Sequence, residues 1–245
     1  MPNVQVQALD KPMSPGSSRR PSLDIHIHAH YRLELEQLLA KSRRLDSFRL
    51  YDLNVIVYVT EALVIPELQV LAPNATFVTC SSAGRNFGSL IRAHLDGHLV
   101  GDYVLHVHTK KSPHLPFGLG KAWFEYLSRR VFARAASKQA TLLYYPRLEF
   151  IFSRKSRVLW SPDGFFGKPE LVRSPFEPSK TLRFPAGGMF FSDGSLLRDW
   201  LDLVISAEPI FDETGKLHGG TEHYLERFLG AFAETYSRLE SDSKD

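Results

Sequence analysis

Hydrophobic and polar positions follow two periods along the first half of the chain. Residues Leu23–His30 alternate at every second position, which predicts a strand with apolar residues on one face and His26, His28 and His30 on the other. From Tyr31 to Leu45 the apolar residues recur at helical spacing. The same succession continues, with predicted strands at Asp52–Thr60, Ala75–Cys80 and Asp102–His108 and predicted helices at Leu63–Val70 and Phe87–His98.

This alternation of strands and helices predicts an α/β fold. Strands joined by helices pair in parallel through right-handed crossovers, so we expect a Rossmann-like, mostly parallel sheet flanked by helices. We expect a single domain over residues 22–236, preceded by a flexible tail at 1–21 and followed by a frayed tail at 237–245.

The pattern in the second half of the chain is less regular. Three further helices are predicted, at Gly120–Ala136, Ser195–Ile205 and Glu222–Tyr236. Strand-like stretches at Glu149–Trp160 and Leu182–Phe191 flank Ser161–Lys180, which is rich in Pro, Gly and Phe and is expected to be irregular.

Candidate chemistry concentrates where the fourth predicted strand ends. His106 and His108 project from one face of that strand, and it is followed at once by Thr109, Lys110, Lys111, Ser112 and His114. An open α/β sheet binds its ligands beyond the carboxyl ends of its strands, and lysines bind phosphates as point charges. The sequence therefore predicts an anion site at this edge of the sheet.

Composition limits the classes of protein to be considered. The chain has 245 residues, 43% of them apolar and 23% charged, as in an ordinary globular protein. A net charge of +3 suits a phosphate ligand or an acidic membrane surface, but without a concentrated patch it does not indicate nucleic acid binding. The single Cys80 excludes an intramolecular disulfide. We recognise neither an apolar run long enough to span a bilayer nor a signal peptide, and we expect a cytoplasmic protein, peripheral at the inner membrane.

The order of these motifs resembles the nucleotide-sugar half of GT-A glycosyltransferases. A glycine-bearing loop with Arg85 and Asn86 leads to a helix, and Gly101-Asp102-Tyr103-Val104 then opens a strand that ends in polar residues. In that fold an acidic pair at the strand end holds a divalent metal on the diphosphate. The resemblance thus implies a Mg²⁺ or Mn²⁺ ion where His106 and His108 stand in this chain.

More specifically, the chain resembles the rhamnan synthesis protein F family of bacterial polysaccharide assembly, from about Leu23 to Gly230. The motifs that carry the resemblance are His28-x-x-Tyr31, Gly84-Arg85-Asn86, His108-Thr109-Lys110-Lys111-Ser112, Phe184–Phe191 and Gly220-Thr221-x-His223-x-x-Glu226-Arg227. Two positions depart from the family pattern. Asn86 stands where the family usually has Asp, and Gly219-Gly220-Thr221 replaces Asp-Gly-Thr.

The resemblance implies transfer of a sugar, rhamnose or similar, from a dTDP- or UDP-linked donor to a lipid-linked surface polysaccharide such as an O-antigen chain of lipopolysaccharide. Other glycosyltransferase modules are candidate partners. Residues 22–115 would bind the nucleotide sugar and residues 116–236 the acceptor. The donor phosphates would be bound by Arg85, Asn86, His106, His108, Thr109, Lys110, Lys111, Ser112 and His114.

The remaining roles follow from what sugar transfer requires. The charge that develops on the leaving diphosphate must be neutralised, and here cationic groups, with His106 or His108 protonated, stand in place of an acidic metal clamp. The acceptor hydroxyl needs a base, for which Glu222 is the first choice, His223 the second and His108 the third. The acceptor side would be formed by Gly187, Gly188, Met189, Glu226 and Arg227.

Two alternatives of other classes stay open. The two departures from the family pattern suit a catalytically degraded domain that only scaffolds a polysaccharide assembly complex. The His26-x-His28 strand is similar to that of metal-dependent hydrolases, in which His106 and His108 could complete a Zn²⁺ or Mn²⁺ cluster. The structural interpretation of His26 is a histidine packed in the core beside a neighbouring strand.

Overall fold

The structure is a computed structural model that describes residues 19–61, 63–109, 118–137, 142–146, 161–173, 184–211 and 220–242, the last six as backbone only. The strands are β1 (Ser22–Ala29), β2 (Asp52–Val59), β3 (Thr76–Thr79), β4 (Tyr103–His108), β5 (Leu143–Tyr144) and β6 (Phe190–Asp193). The helices are α1 (Arg32–Ser47), α2 (Ile65–Leu71), α3 (Arg85–Leu95), α4 (Leu119–Ala136), α5 (Gly194–Ser206) and α6 (Thr221–Asp242), with a 3-10 turn at Pro169–Leu171.

These strands form one mixed sheet in the order β3-β2-β1-β4-β6-β5. The pairings of β1 with β2, β1 with β4, and β2 with β3 are parallel, whereas β6 runs antiparallel to both β4 and β5. Five of the six strands therefore point the same way, which confirms the predicted α/β class with a mostly parallel, Rossmann-like sheet flanked by helices.

Each face of the sheet is covered by its own set of helices. On one face, α1, α2 and α4 pack on the apolar positions of β1 and β4, among them Ile25, Ile27 and Val107. On the other face, α3, α5 and α6 enclose an aromatic core around Phe87 and Trp200. The side chains of a strand alternate between faces, so the histidines of β1 point toward α3, α5 and α6.

The second half of the chain differs from the prediction in several places. The predicted strand Leu182–Phe191 begins only at Phe190, because Gly187 (φ 88°) and Gly188 (φ 70°) form a turn before it. Helix α6 continues to Asp242, where a frayed tail was expected from 237 onwards. The short edge strand β5 was not predicted, and the expected strand Glu149–Trp160 lies outside the described residues.

A buried carboxylate holds the amino-terminal end of the two central strands together. Asp24 on β1 is 2% exposed; it accepts hydrogen bonds from the Gly101 backbone N–H at 2.6 Å and from Asn54 Nδ2 at 3.1 Å. One side chain thereby links the start of β1, the neighbouring strand β2 and the turn before β4. The polar network of this edge is structural, because it lies at the end of the strands opposite to the one that binds ligands in such sheets.

We expect Asp24→Leu to lower the free energy of unfolding by about 2–3 kcal/mol, because it leaves the buried Gly101 N–H without an acceptor. Asp24→Asn keeps an acceptor oxygen and should cost less. Asp52→Asn is the control. It removes an exposed ion pair with Arg20 and should change stability by less than about 1 kcal/mol. Urea unfolding measures the free energy of unfolding of all three variants. An equal loss of stability at Asp24 and Asp52 would contradict the structural role of Asp24.

Candidate functional site

The order of the strands defines a crevice at the carboxyl ends of β1 and β4. From β1 the chain proceeds outward through β2 and β3, and it then returns to place β4 on the other side of β1. Helix α1, which leaves β1, and helix α3, which leads into β4, therefore lie on opposite faces of the sheet, which opens a space between the two strand ends. Ligands of open α/β sheets bind at such a switch point.

Four histidines occupy adjoining positions on these two strands. In the parallel register His26 is opposite His106 and His28 is opposite His108. The next strand places Tyr58 beside His28, and its ring centroid lies 5.4 Å from that of His26. All of these rings face α3, α5 and α6, so the second face of the sheet carries a polar band across its centre.

Hydrogen bonds fix the tautomers of the inner pair. His26 Nδ1 and His106 Nδ1 are 2.8 Å apart, so one ring must donate and the other accept. Asn86 Nδ2 lies 3.2 Å from His106 Nε2 and, as an amide N–H, donates to it. His106 therefore carries its proton on Nδ1 and donates to His26. His26 Nε2 then holds the remaining proton, buried and without a hydrogen bond of ordinary geometry among the described residues.

The inner histidines are uncharged because they are removed from water. Burial lowers the pKa of His26 to about 3, an effect that the backbone of Ser89 offsets only in part. Burial also lowers the pKa of His28 to about 3, and repulsion from His108 and His26 adds to the shift. The pKa of His106 lies well below its ordinary value for the same reasons. The expectation that His106 is protonated and binds phosphate as a cation is therefore wrong.

The outer histidine positions the glycine turn. His108 Nε2 lies 2.7 Å from the Gly187 carbonyl oxygen, which can only accept, so this nitrogen is the donor. A Cβ atom built on Gly188 would lie 2.5 Å from Asn86 Nδ2, so the turn can approach Asn86 only because residue 188 is glycine. Residues predicted for the donor side and the acceptor side therefore contact each other. Because His108 Nε2 already carries a proton, it is a poor base at that nitrogen.

A second glycine sets the start of α3. Gly84 has φ 69°, and a Cβ at this position would lie 2.8 Å from the ring of Phe211. Arg85 follows with φ 50°, a left-handed conformation that is uncommon for a residue other than glycine. Strained backbone of this kind is concentrated at functional sites. The turn brings Arg85 to the surface and directs Asn86 inward to His106.

Arg85 meets the start of α6. Its Nε lies 3.4 Å from Glu222 Oε1, and His223 Nδ1 lies 3.7 Å from the same oxygen. Glu222 is 13% exposed at its side chain. One turn further along the helix, the Arg227 guanidinium stacks on the Phe184 ring with its Cζ 4.7 Å from the centroid. Arg227 is 5% exposed, and burial lowers its pKa.

The other predicted site residues divide into four groups. Thr109 has a structural role, because its hydroxyl oxygen accepts hydrogen bonds from the backbone N–H groups of His30 at 2.8 Å and Tyr31 at 3.2 Å. Met189 is fully buried in the core against α4, so its prediction as an acceptor-side residue is wrong. Glu226 is half-buried on α6. Outside the described residues lie Lys110, Lys111, Ser112 and His114.

The described residues do not fit a resident metal ion at this strand end. His106 engages both ring nitrogens, and His108 Nε2 donates to a carbonyl. Across the described parts of the chain, no three His, Cys, Asp or Glu side chains are grouped so that they could hold a metal. The metal-dependent hydrolase alternative therefore lacks its cluster in the described structure. The alternative interpretation of His26, a core histidine packed beside a neighbouring strand, agrees with its burial and its contact with His106.

Sequence analysis missed two features of the site. It selected Arg85 and Glu222 for separate roles, and nothing in a single sequence indicates that residues so far apart form an ion pair. It also gave His28 a role only in the metal-dependent hydrolase alternative and none in binding a nucleotide sugar, although the alternation of Leu23–His30 placed it on the same face as His26. The parallel pairing of β1 with β4 is what joins the two histidine pairs.

Fold and crevice together define an α/β protein with a polar, partly cationic site at its switch point. A family model for rhamnan synthesis protein F matches residues 3–156. The chain belongs to this family, which links it to the synthesis of rhamnan-type polysaccharides. A search of curated proteins found no match. Of the helices in the described parts of the chain, none is long and apolar enough to cross a bilayer.

The burial of uncharged histidines predicts that stability falls in mild acid. At His26 and His28 the unfolded chain binds protons below about pH 6.5, whereas the folded protein does not until about pH 3, so acid favours unfolding. Each such group adds a slope of about 1.4 kcal/mol per pH unit to the free energy of unfolding across this window. Urea unfolding at several pH values measures the total slope.

His28→Asn removes one of these groups and should reduce the slope by the contribution of about one proton. His30→Asn is the control, because His30 is exposed just beyond the same strand. Parallel curves for the wild type and His28→Asn would show that His28 is not held neutral by burial.

Proposed function

We propose that the protein is a glycosyltransferase with a GT-A-like fold, which transfers a sugar from a nucleotide diphosphate to a lipid-linked surface polysaccharide. The observation that carries the proposal is the convergence of Arg85, Asn86, His108 and the Gly187-Gly188 turn on the crevice between β1 and β4. Membership of a family of polysaccharide synthesis supports the choice of substrate class. The acceptor places the protein at the cytoplasmic face of the inner membrane, beside other glycosyltransferase modules.

The diphosphate is the part of the donor that needs cationic groups. In the transfer, the bond between the sugar C1 and the diphosphate oxygen breaks, and the electron pair stays on the leaving diphosphate. Arg85 is partly exposed at its side chain and lies at the mouth of the crevice beside Asn86. We propose that Arg85 neutralises the negative charge that develops on the diphosphate, together with Lys110 and Lys111, which follow β4 in sequence.

Glu222 is the proposed base. It accepts the proton of the acceptor hydroxyl as that oxygen forms its bond to C1. The position of Glu222 beside Arg85 supports this role, because the carboxylate that activates the acceptor then lies next to the guanidinium that holds the donor. His223 is close enough to interact with the same carboxylate. No step in this scheme needs a metal ion held by the described side chains.

Binding of nucleotide tests the donor site. UDP or dTDP in excess should raise the melting temperature, since a ligand at about 100 times its Kd adds about 2.7 kcal/mol to the free energy of unfolding. Arg85→Ala, and Lys110→Ala combined with Lys111→Ala, should each remove most of the shift. Arg92→Ala is the matched control, because Arg92 lies on the same helix but pairs with Asp96 away from the crevice.

The outcome that contradicts the donor site is equally clear. If neither nucleotide shifts the melting temperature of the wild type, with or without Mn²⁺, the transferase proposal fails. The scaffold alternative then takes its place.

Sugar transfer tests the base. Glu222→Gln should bind nucleotide like the wild type but lower the rate of transfer to a lipid-linked acceptor by a factor of about 10²–10⁴. Glu234→Gln, three turns further along α6, is the control and should leave the rate unchanged. Incorporation of labelled sugar into membrane lipid measures both. A Glu222→Gln variant with the wild-type rate would exclude Glu222 as the base.

A further inference from the structure

His28 occupies the last position of β1 that pairs with β4, at the edge where the crevice opens. It stands between Tyr58 of β2 and His108 of β4 in the parallel register. The residue is 6% exposed, so its imidazole is almost entirely enclosed at this strand end. The proposed transfer has so far given this side chain no role.

Unlike the side chains of its neighbours, the His28 imidazole has no hydrogen bond to a described residue. His26 is bonded to His106, His106 also to Asn86, His108 to the Gly187 carbonyl, and His30 Nδ1 to Thr60 Oγ1 at 2.9 Å. His28 Nδ1 is buried and lacks a partner among the described residues. Such an orphaned group costs about 1–3 kcal/mol relative to a satisfied one. An apolar side chain would fill the position without that cost, so packing alone does not account for a histidine here.

The chemistry of the ring limits what it can bind. His28 is uncharged for the reasons given above, and a neutral imidazole offers one N–H donor and one acceptor lone pair but no charge. Asn86, whose amide nitrogen is used on His106, is likewise an uncharged polar side chain. The inner crevice is therefore suited to hydroxyl or imide groups, whereas the cation at its mouth, Arg85, suits phosphate.

We propose that the imidazole of His28 is a ligand-binding group that hydrogen-bonds to an uncharged hydroxyl or imide of the nucleotide sugar. The inference rests on the proposed function and adds a division of labour to it. The charged diphosphate is bound at the mouth of the crevice, and an uncharged part of the donor is recognised at the end of β1. That part is either the nucleoside or the transferred sugar, both of which carry such groups.

Calorimetric titration of the whole protein with three probes tests whether the diphosphate and the uncharged part of the donor are bound by different residues. The probes are inorganic pyrophosphate, UDP or dTDP, and the corresponding nucleotide sugar. His28→Leu should bind pyrophosphate as the wild type does. It should bind the nucleotide sugar about 10- to 100-fold more weakly, as expected for the loss of one buried hydrogen bond in recognition. A similar loss with the nucleoside diphosphate places the contact on the nucleoside, and a loss confined to the nucleotide sugar places it on the sugar.

Two polar variants separate binding from packing. An Asn side chain puts its amide nitrogen near the position of Nδ1, and Gln puts it near Nε2, so at least one of His28→Asn and His28→Gln should retain most of the affinity. His28→Leu should be at least as stable as the wild type, because it removes an unsatisfied polar atom. His94→Asn, which alters a contact with Asp202 between α3 and α5, is the control and should not change binding.

The outcomes are distinguishable. If the wild type binds the nucleotide sugar and His28→Leu binds it equally well, this inference is wrong and the proposed function stands. Equal losses for pyrophosphate and nucleotide sugar, or equal losses in the Leu, Asn and Gln variants, also overturn it. If the wild type binds none of the three probes, the proposed function itself fails, and the inference fails with it.

Discussion

The structure depends on keeping imidazoles without charge inside a sheet. Two central strands present apolar residues to α1 and α4 and histidines to α3, α5 and α6, so the second core has to be built around polar rings. Desolvation of a charged imidazole would cost several kcal/mol, so the rings stay neutral and satisfy one another. The contact between His26 and His106 can form only if one Nδ1 carries a proton and the other does not. Asn86 determines which Nδ1 carries the proton. It donates to His106 Nε2, so the proton of His106 is on Nδ1.

That requirement explains the conformation of the surrounding loops. Asn86 reaches His106 because Gly84 and Arg85 adopt left-handed conformations that turn the chain directly into α3. The Gly187-Gly188 turn can lie between α4 and Asn86 because a Cβ on Gly187 would meet Leu127 and one on Gly188 would meet Asn86, and in this position the Gly187 carbonyl accepts from His108. Segments about a hundred residues apart thus close over one polar band. The ion pair between Arg85 and Glu222 adds the start of α6 to the same assembly.

Much of the fold could be predicted because strand and helix periods are local. The alternation in Leu23–His30 correctly gave β1 and its histidine face, and the succession of elements gave the parallel sheet. The turn before β6 was mistaken for strand, since Ala186–Met189 is apolar and its two positive φ values leave no trace in a hydrophobicity pattern. The burial of Met189 and Arg227 depends on tertiary packing. The charge of His106 was predicted wrongly for the same reason, because protonation follows from burial and not from residue type.

The neutral state of the histidines changes the electrostatic argument for the site. If burial keeps His26, His28 and His106 uncharged, they cannot compensate a diphosphate, so the cationic contribution falls on residues outside the sheet. Arg85 is one such group, held at the mouth of the crevice by strained backbone and an acidic partner. Lys110 and Lys111 follow β4 by two and three residues in the sequence. A neutral interior also benefits a charged ligand indirectly, because hydrogen bonds and ion pairs at its edge act in a medium of lower dielectric than water. Under the proposed function, the polar band of the sheet would therefore select uncharged groups of the donor, and the binding of charge would be left to the loops.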